Sequence, residues 1–346
     1  MTADPAPALQ AAVRTLAQHE SLTTDQAALA FDAVMNGDGT SAQVAALLMG
    51  LRVKGETPAE VAGAALALRR AMTALDVPQP AELVDTCGTG GGAIATFNIS
   101  TAAALLAAGA GVRIAKHGNR SFTSKCGSAD VLEALGIEID LPVDRMARVL
   151  DHAGIVFMFA PTMHPAMRHV GPVRREMGIQ TVMNLVGPLA NPARVGRQVI
   201  GVADPARLGL IAGALQALGT VHSLVVHGEP GLDEISPLGQ TVVIELQDAE
   251  AKRWTLDPLT FGIAPVSRAD LEGGEPAANA ALIERVLAGK GPAGAEAAVI
   301  LNAAGAVYVG GLAADFRGAL DTAREALRSG AGRAALDRLR AAAPRG

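Results

Sequence analysis

The sequence predicts an α/β protein in which a small N-terminal helical domain precedes a large domain with a mainly parallel central sheet covered by helices. Roughly the first 75 residues contain only helical periodicity, whereas short β-branched runs alternate with helical runs from about residue 80. Composition agrees, because 50% of the 346 residues are hydrophobic and only 3% are aromatic. A core of Ala, Val, Leu and Ile favours helices packed closely on a buried parallel sheet.

Capping signals mark the helices of the N-terminal region. Thr23, Thr40 and Thr57 each stand three residues before a Gln or Glu, and Pro58 occupies a first helical position. We expect the apolar faces of these helices to contact a partner subunit as well as one another. The proline-containing segment 76–80 leads out of the region. We therefore expect an N-terminal helical domain at 1–76 and an α/β domain at 77–346.

Short apolar runs give the strand candidates of the second domain. Leu83 and Val84 end a buried strand, and the other candidates are 112–115, 155–159, 198–202, 223–227 and 242–246. Helical patterns lie between them at 101–110, 128–136, 143–153 and 205–218, and covering helices are expected at 295–309 and 315–342. This alternation is typical of βαβ units, which bind ligands at the carboxyl ends of their strands.

Charge and composition exclude several classes of function. The net charge of −5 and the pI near 5.8 argue against a nucleic-acid partner. We see no run of about 18 apolar residues for a membrane span and no signal peptide. Cys87 and Cys126 are too few for a disulfide framework and lack metal-ligand spacing, which indicates a reducing cytoplasm.

The stretch LVDTCGTGGGAIATFNIST at 83–101 is the centre of the predicted site. It contains four glycines within five residues, and Asn98, Ser100 and Thr101 follow just before a helical run. Glycines allow close approach of a ligand to the backbone, and the helix N-terminus adds positive potential. The stretch therefore predicts a phosphate or pyrophosphate site, and an ordinary tight turn is the alternative.

Basic residues follow the second predicted strand. Lys116, Arg120 and Lys125 lie within ten residues, and glycines, hydroxyl groups and amides separate them. Such a loop at the carboxyl end of a strand suits a polyanion, whereas a basic surface loop is the alternative. Between and after the three cations lie His117, Asn119, Ser121, Thr123, Ser124 and Ser128.

Two further charged clusters complete the pattern. Arg174 and Arg175 could bind a carboxylate in bidentate fashion or could equally be paired surface charges. Asp233 and Glu234 follow a predicted strand and suit magnesium that arrives with a phosphate, although an acidic turn is the commoner meaning of such a pair. Together the four clusters predict a magnesium-bound pyrophosphate beside a small carboxylate.

Six segments occur in a characteristic order and spacing: Cys87 to Gly91, Thr96 to Thr101, Ala115 to Arg120, Gly127 to Gly136, Val173 to Gly178 and Asn184 to Pro192. They resemble the anthranilate phosphoribosyltransferases of tryptophan biosynthesis. The resemblance implies a fold shared with pyrimidine nucleoside phosphorylases. It also implies helices around 172–192 that return to the small domain, through which a homodimer would form.

The implied reaction joins anthranilate's amine to the anomeric carbon of 5-phosphoribosyl pyrophosphate (PRPP) and releases pyrophosphate. Magnesium is the implied cofactor, with Ser100, Asp233 and Glu234 as its ligands. The residues implied for anthranilate are Gly88, His117, Asn119, Arg174 and Pro188, with Arg174 on the carboxylate. Those implied for PRPP are Gly88, Thr89, Gly91, Thr96, Asn98, Ser100, Thr101, Lys116, Asn119 and Ser128.

One position departs from the family pattern. The family usually has an aspartate directly after the Gly-Gly pair, where this chain has Gly92. Loss of that carboxylate removes a negative charge beside the pyrophosphate. We therefore expect Asp233 and Glu234 to bear more of the metal binding.

The expected chemistry needs no covalent nucleophile. Pyrophosphate leaves well once its charge is neutralised, and the aniline nitrogen is already neutral at pH 7. His117 could accept the proton afterwards, but an orienting or packing role is an equal alternative.

Two other enzyme classes are the rival interpretations. One is a nucleoside phosphorylase of the same fold, and the arginines and the Asp-Glu pair argue against it. The other is a dinucleotide enzyme, because Gly88, Gly90 and Ala93 match its loose fingerprint. An NAD enzyme would need an acid where the next strand ends, and this chain has Lys116 and His117 there.

Overall fold

The computed structural model describes residues 5–121 and 125–345, so Thr123 and Ser124 lie outside the described part. Its helices are α1 Pro5–Ala17, α2 Thr24–Asn36, α3 Ser41–Lys54, α4 Pro58–Ala71, α5 Ile99–Gly109, α6 Ser128–Ala134, α7 Val143–Ala153, α8 Ala160–Met163, α9 Gly171–Met177, α10 Met183–Val186, α11 Leu208–Leu218, α12 Pro276–Leu287, α13 Ala293–Val309, α14 Phe316–Arg328 and α15 Ala331–Ala342. Its strands are β1 Val84–Gly88, β2 Ile114–Gly118, β3 Ile155–Phe159, β4 Arg197–Gly201, β5 His222–Gly228, β6 Thr241–Gln247 and β7 Glu250–Leu256. The chain forms two compact units.

The first unit is helical and comprises the described residues up to 74 together with 161–192 and 209–219. Capping boxes at Thr23, Thr40 and Thr57 begin α2, α3 and α4, which confirms the three starts expected from the sequence. Glu60 is fully buried and accepts hydrogen bonds from the N–H groups of Leu22 and Thr57, at 2.9 and 2.8 Å. Its charge is balanced by Lys54 at 3.0 Å. This carboxylate ties the start of α4 to the chain that precedes α2.

Later segments of the chain also belong to the helical unit. The Thr73 N–H donates to the Met163 carbonyl at 2.8 Å, and Arg69 Nε donates to the Leu189 carbonyl at 2.7 Å. The short helices α9 and α10 lie in this part of the chain. The helical pattern at 172–192 thus folds as part of the same unit as α1 to α4.

The second unit is built on a seven-stranded sheet with the order β3-β2-β1-β4-β5-β6-β7. The first five strands pair in parallel, while β6 and β7 pair antiparallel at one edge. The expected α/β fold with a mainly parallel sheet is confirmed. Within the register, Gly88 at the end of β1 lies opposite Gly201 at the end of β4.

Packing of alanine-rich helices on this sheet agrees with the composition. Every residue of α5 between Thr101 and Ala108 is buried, and α13 is buried over most of its length. Small side chains let such helices approach the sheet and one another closely. No helix within residues 5–121 and 125–345 is both long enough and apolar enough to cross a membrane.

Candidate active site at the carboxyl edge of the sheet

The glycine-rich loop after β1 lies at the carboxyl edge of the sheet, as the sequence predicted. Gly90 and Gly91 have φ angles of +69° and +79°, which L side chains adopt only with strain. The Thr89 N–H donates to the Gly201 carbonyl at 2.9 Å, and Thr89 Oγ1 accepts from the Ala203 N–H at 3.2 Å. The loop is therefore anchored to the end of β4.

Asp233 lies across the ends of β1 and β4. Its carboxylate Oδ2 accepts from the Gly90 N–H at 2.9 Å. A Cβ on Gly88 would lie 2.5 Å from that Oδ2, and a Cβ on Gly201 would lie 1.7 Å from the Asp233 carbonyl oxygen. Gly201 must be glycine for the Asp233 backbone to approach the sheet so closely, whereas a side chain at Gly88 would displace the Asp233 carboxylate.

Glu234 lies at the N-terminus of α5. Its Oε1 accepts from the Ser100 N–H at 3.1 Å, where the helix dipole favours negative charge. Lys116, buried on β2, places Nζ 3.4 Å from Ser100 Oγ and also donates to the Thr86 carbonyl. Two predicted metal ligands, the predicted diphosphate loop and a predicted cation thus occupy one edge of the sheet.

Burial perturbs the acid pair. Removal from water raises the pKa of Asp233, and the Gly90 N–H partly opposes that rise. Burial, and then the neighbouring Asp233 charge, raises the pKa of Glu234 against the opposing effects of Lys116 and the Ser100 N–H. Two adjacent buried carboxyl groups with raised pKa values are hard to ionise together. A bound cation would stabilise their ionised forms.

Asn98 connects the glycine loop to the segment after β2. Its Nδ2 donates to the Cys126 carbonyl at 3.1 Å. Burial raises the pKa of Cys126 to about 11, so the thiol stays protonated and donates to Asn98 Oδ1 at 3.3 Å. Ser128 Oγ donates to the Asn119 carbonyl at 3.2 Å, which ties the start of α6 to the same segment.

Arg120 is held by two acids of the following helix. It donates to Asp130 at 2.8 Å and to Glu133 at 2.6 Å, both in α6, and these bonds raise its pKa. Its guanidinium also lies 5.6 Å from the Phe159 ring centroid. Of the cations predicted around the second strand, Arg120 is therefore already neutralised, while Lys116 faces the site.

The remaining predicted residues of this unit lie on the same elements. Thr96 forms an isolated bridge with Glu272, and Thr101 is buried in the first turn of α5. Thr101 Oγ1 has no hydrogen-bond partner in the described part of the chain. His117 is 9% exposed on β2, and its backbone N–H donates to Asp85 Oδ1 at 3.2 Å.

Arg174 and Pro188 belong to the helical unit. Arg174 lies in α9 and is half-buried, and burial lowers the pKa of its guanidinium. Arg175, beside it, is exposed. Pro188 is buried in the turn after α10. The two adjacent arginines therefore differ in environment, and the half-buried one is the predicted carboxylate ligand.

The donor set at the sheet edge fits magnesium. Within residues 5–121 and 125–345 no group of three or more His, Cys, Asp or Glu side chains could hold a metal. Two adjacent carboxylates and the Ser100 hydroxyl are hard oxygen donors. Magnesium is typically bound by one or two carboxylates together with substrate phosphates, so this set suits a metal that arrives with its substrate.

Two buried asparagines contact the site and were not expected from the sequence. Asn279 in α12 donates to Asn98, and Asn302 in α13 bonds the backbone of Ile235, next to the acid pair. A lone asparagine in a mainly apolar helix was the available signal, because a buried amide must find partners.

Family models match most of the chain in two pieces. The helical bundle domain of a glycosyl transferase family matches residues 10–72, and the a/b domain of a glycosyl transferase family matches residues 80–333.

Curated relatives share about half of their residues with the chain. The anthranilate phosphoribosyltransferase of Roseiflexus sp. (strain RS-1) is 51% identical over 319 residues, covering 92% of this chain and 93% of the relative. That of Chloroflexus aggregans is 46% identical over 332 residues, covering 96% of each.

Solved structures share the fold over nearly the whole length. The anthranilate phosphoribosyltransferase of Thermus thermophilus superposes with a TM-score of 0.89 at 40% identity, covering 96% of this chain and 98% of that one. That of Saccharomyces cerevisiae in complex with PRPP and Mg has a TM-score of 0.85 at 27% identity, covering 96% and 97%.

Proposed function

The chain belongs to the anthranilate phosphoribosyltransferase family, and from that membership and the geometry of the sheet edge we infer how it carries out the reaction. It transfers the 5-phosphoribosyl group of PRPP to the amine of anthranilate, in tryptophan biosynthesis. The products are N-(5-phosphoribosyl)anthranilate and pyrophosphate. One observation carries the site: the glycine loop, the start of α5 and the acid pair meet where β1 and β4 end.

We propose that this edge binds the diphosphate and ribose of PRPP. The loop backbone supplies N–H donors, and the α5 N-terminus adds positive potential. Two of those donors, the Gly90 and Ser100 N–H groups, bond Asp233 and Glu234. The proposed PRPP residues are Gly88, Thr89, Gly91, Thr96, Asn98, Ser100, Thr101, Lys116, Asn119 and Ser128.

Magnesium is the cofactor, and Asp233, Glu234 and Ser100 are its proposed ligands. When bound, it neutralises charge that develops on the leaving pyrophosphate. The raised pKa values of the two carboxyl groups agree with a pair whose full ionisation is favoured only beside a cation.

We propose that anthranilate binds through Gly88, His117, Asn119, Arg174 and Pro188. A guanidinium presents parallel donors to a carboxylate, and the lowered pKa of Arg174 reflects burial that strengthens such a bond. The nucleophile is a neutral amine, so the residues supply position and charge stabilisation and no covalent intermediate is needed. His117 orients or packs against the substrate and is only a candidate proton acceptor.

The chain is proposed to act as a homodimer through its helical domain, residues 1–76 with the segment 172–192. Leu29 in α2 and Met49 and Val53 in α3 are large apolar side chains that are 46%, 44% and 67% exposed. Such residues favour a protein partner. Light scattering of Val53→Glu is expected to show monomers, whereas Leu259→Glu, at a 60% exposed apolar residue of the other unit, should leave the wild-type mass. Monomeric wild type would contradict the proposal.

A cytoplasmic location is also proposed. Cys87 and Cys126 are both thiols and form no disulfide with each other, which agrees with a reducing compartment. Cell fractionation tests this, and recovery of the protein outside the cytoplasm would contradict it.

An assay of anthranilate fluorescence with PRPP and magnesium tests the function. Wild type is expected to consume anthranilate and release equimolar pyrophosphate. Arg174→Ala should raise the KM for anthranilate, with Arg175→Ala as the matched control, and Asp233→Ala should lose most turnover, with the exposed Asp144→Ala as control. Phosphorolysis of a pyrimidine nucleoside without anthranilate consumption would favour the nucleoside phosphorylase alternative.

A further inference from the structure

We propose that Asn279 and Asn302 are positioning residues of the transfer reaction. Asn279 sets the orientation of Asn98 toward PRPP, and Asn302 fixes the backbone that carries Asp233 and Glu234. The proposal rests on the proposed function, because it assigns these two side chains to the diphosphate and metal sites.

Hydrogen bonds to main-chain groups fix the direction of the Asn279 amide. Its Oδ1 accepts from the Gly274 N–H at 2.7 Å, so its Nδ2 must face Asn98, and it donates to Asn98 Oδ1 at 2.9 Å. Asn98 Nδ2 in turn donates to the Cys126 carbonyl at 3.1 Å. Backbone groups at both ends of this chain of bonds therefore leave the Asn98 side chain one orientation.

The orientation of Asn98 matters for an anionic ligand. Its Oδ1 already accepts from Asn279 and from the Cys126 thiol, whereas Nδ2 uses only one of its two hydrogens within residues 5–121 and 125–345. Asn98 directly precedes α5, the helix whose N-terminus forms part of the proposed diphosphate site. Reversal of its amide would present an oxygen where a hydrogen-bond donor is needed.

Asn302 performs the corresponding task at the acid pair. Its Oδ1 accepts from the Ile235 N–H at 2.9 Å, and its Nδ2 donates to the Ile235 and Ala298 carbonyls, each at 2.9 Å. All its polar atoms are satisfied, and the residue is 2% exposed. Ile235 directly follows Glu234, so this bonding fixes the chain direction at the proposed metal ligands.

Burial of the two asparagines in mainly apolar helices indicates that their amides have a specific hydrogen-bonding role. Asn279 is also 2% exposed, and α12 and α13 are otherwise mainly apolar. A buried amide is costly unless it is fully bonded, and either helix could pack with an alanine or leucine at the same place. In both cases the bonds go to a segment that carries proposed ligands of the substrate or metal.

Two isosteric variants test the proposal, with a control on the same helix as Asn302. Asn279→Asp keeps the acceptor for Gly274 and loses the donor to Asn98, and Asn302→Asp keeps the acceptor for Ile235 and loses both donations. The control, Tyr308→Phe in α13, removes a 2.7 Å hydrogen bond to Glu245. Glu245 bonds His222 at the start of β5, whereas the site lies at the opposite ends of the strands.

Steady-state kinetics with PRPP, anthranilate and magnesium separate positioning from packing. Asn279→Asp should raise the KM for PRPP by about tenfold or more, corresponding to about 1.4 kcal/mol, with kcat and the KM for anthranilate within about threefold. Asn302→Asp and the uncharged Asn302→Ala should both raise the magnesium concentration for half-maximal rate by about tenfold. Agreement between the two variants separates lost positioning from the effect of an added charge. Tyr308→Phe should lower Tm by about as much as the two asparagine variants do. It should change neither the KM for PRPP nor the magnesium concentration for half-maximal rate.

The outcomes also separate this proposal from the function on which it rests. Absence of wild-type turnover would overturn both, whereas wild-type turnover with unchanged constants in the two variants would overturn the positioning roles alone. Equal changes in Tyr308→Phe would also overturn them, because the effect would then be general destabilisation. If an aspartate variant does not fold, Asn279→Ala and Asn302→Ala carry the same expectations and the same contradicting results.

Discussion

At the scale of single residues, the site depends on how closely the Asp233 segment approaches two strands. The Asp233 carbonyl oxygen lies where a side chain on residue 201 would begin. The Asp233 carboxylate accepts a hydrogen bond from the Gly90 N–H. The glycines of the loop could be predicted from their density in the sequence. The need for glycine at Gly201 could not, because it arises from a contact between residues 32 positions apart in the chain.

Substitution of Gly201 is the sharpest test of that approach. Gly201→Ala would place a Cβ 1.7 Å from the Asp233 carbonyl oxygen, so the segment must shift. We expect a loss of about 1–3 kcal/mol in the free energy of unfolding, typical of overpacking, and a fall of at least about tenfold in kcat/KM for PRPP, or about 1.4 kcal/mol.

The matched control is Gly209→Ala in α11, where a Cβ meets nothing within 4 Å. It should gain about 0.5–1 kcal/mol of stability from the better helix former. Urea unfolding and kinetics on both variants provide the comparison. Unchanged kinetics in Gly201→Ala would contradict the described geometry.

Gly92 is the second residue that can be tested directly. A Cβ there would lie 3.2 Å from Asp233 Oδ1, so Gly92→Asp brings a third carboxyl group close to the acid pair. We expect the magnesium dependence of the rate to change, because added negative charge attracts the cation and repels the diphosphate.

Gly92→Asn has the same shape without the charge and separates the two effects in the same titration of rate against magnesium. A magnesium profile that is identical in wild type and Gly92→Asp would show that Asp233 and Glu234 do not compensate for the missing carboxylate.

At the scale of elements, hydrophobic periodicity predicted the helices and strands whose formation depends on local sequence. The capped helices α2 to α4 and the strands β3 to β6 formed close to their expected places, since each has its own apolar pattern. The prediction that β1 ends near Val84 was wrong, because pairing with β4 extends it to Gly88. The residues around β1 contain no information about β4, which is more than 100 positions later in the chain.

Two other elements were not predicted for related reasons. The strand β7, EAKRWTL, is largely exposed and polar, so it lacks an apolar pattern and forms by pairing with β6. The helix α12 follows two glycines, Gly273 and Gly274, and was not predicted. The helical segment expected at 315–342 forms as α14 and α15, which meet at Gly330 with a φ of +75°. A polar edge strand depends on its tertiary partner, whereas the helix break at Gly330 is local.

His164 provides a test within the helical unit. Burial lowers its pKa to about 4 from 6.5, although a hydrogen bond with Ala190 opposes the shift. Between about pH 6.5 and pH 4, His164 is protonated in the unfolded chain and stays neutral in the folded chain. The free energy of unfolding should therefore fall as pH decreases through this range. The expected loss is up to roughly 3 kcal/mol, at about 1.4 kcal/mol per pH unit.

Urea unfolding of wild type and His164→Gln between pH 7 and pH 4 measures this dependence, with the exposed His152→Gln as control. The His164 variant should have a flatter stability profile than either of the other two proteins. Identical slopes in all three would contradict the assigned pKa.

At the scale of the whole molecule, a protein of net charge −5 binds a substrate with several negative charges. Bulk attraction does not favour this, so we propose that local groups hold the substrate: main-chain N–H donors, a helix N-terminus, Lys116 and a magnesium ion. The sequence motifs predicted that these segments lie at one edge of the sheet, and the register agrees, because Gly88 and Gly201 end neighbouring strands. Buried supports such as Asn279 remained beyond prediction, since their partners are distant in sequence.

The most direct measurement is a crystal structure of the protein soaked with PRPP and magnesium. The diphosphate is expected against the Gly88–Gly92 loop and the start of α5, with magnesium between it and the carboxylates of Asp233 and Glu234. A diphosphate bound elsewhere on the chain, with the glycine loop empty, would contradict the account.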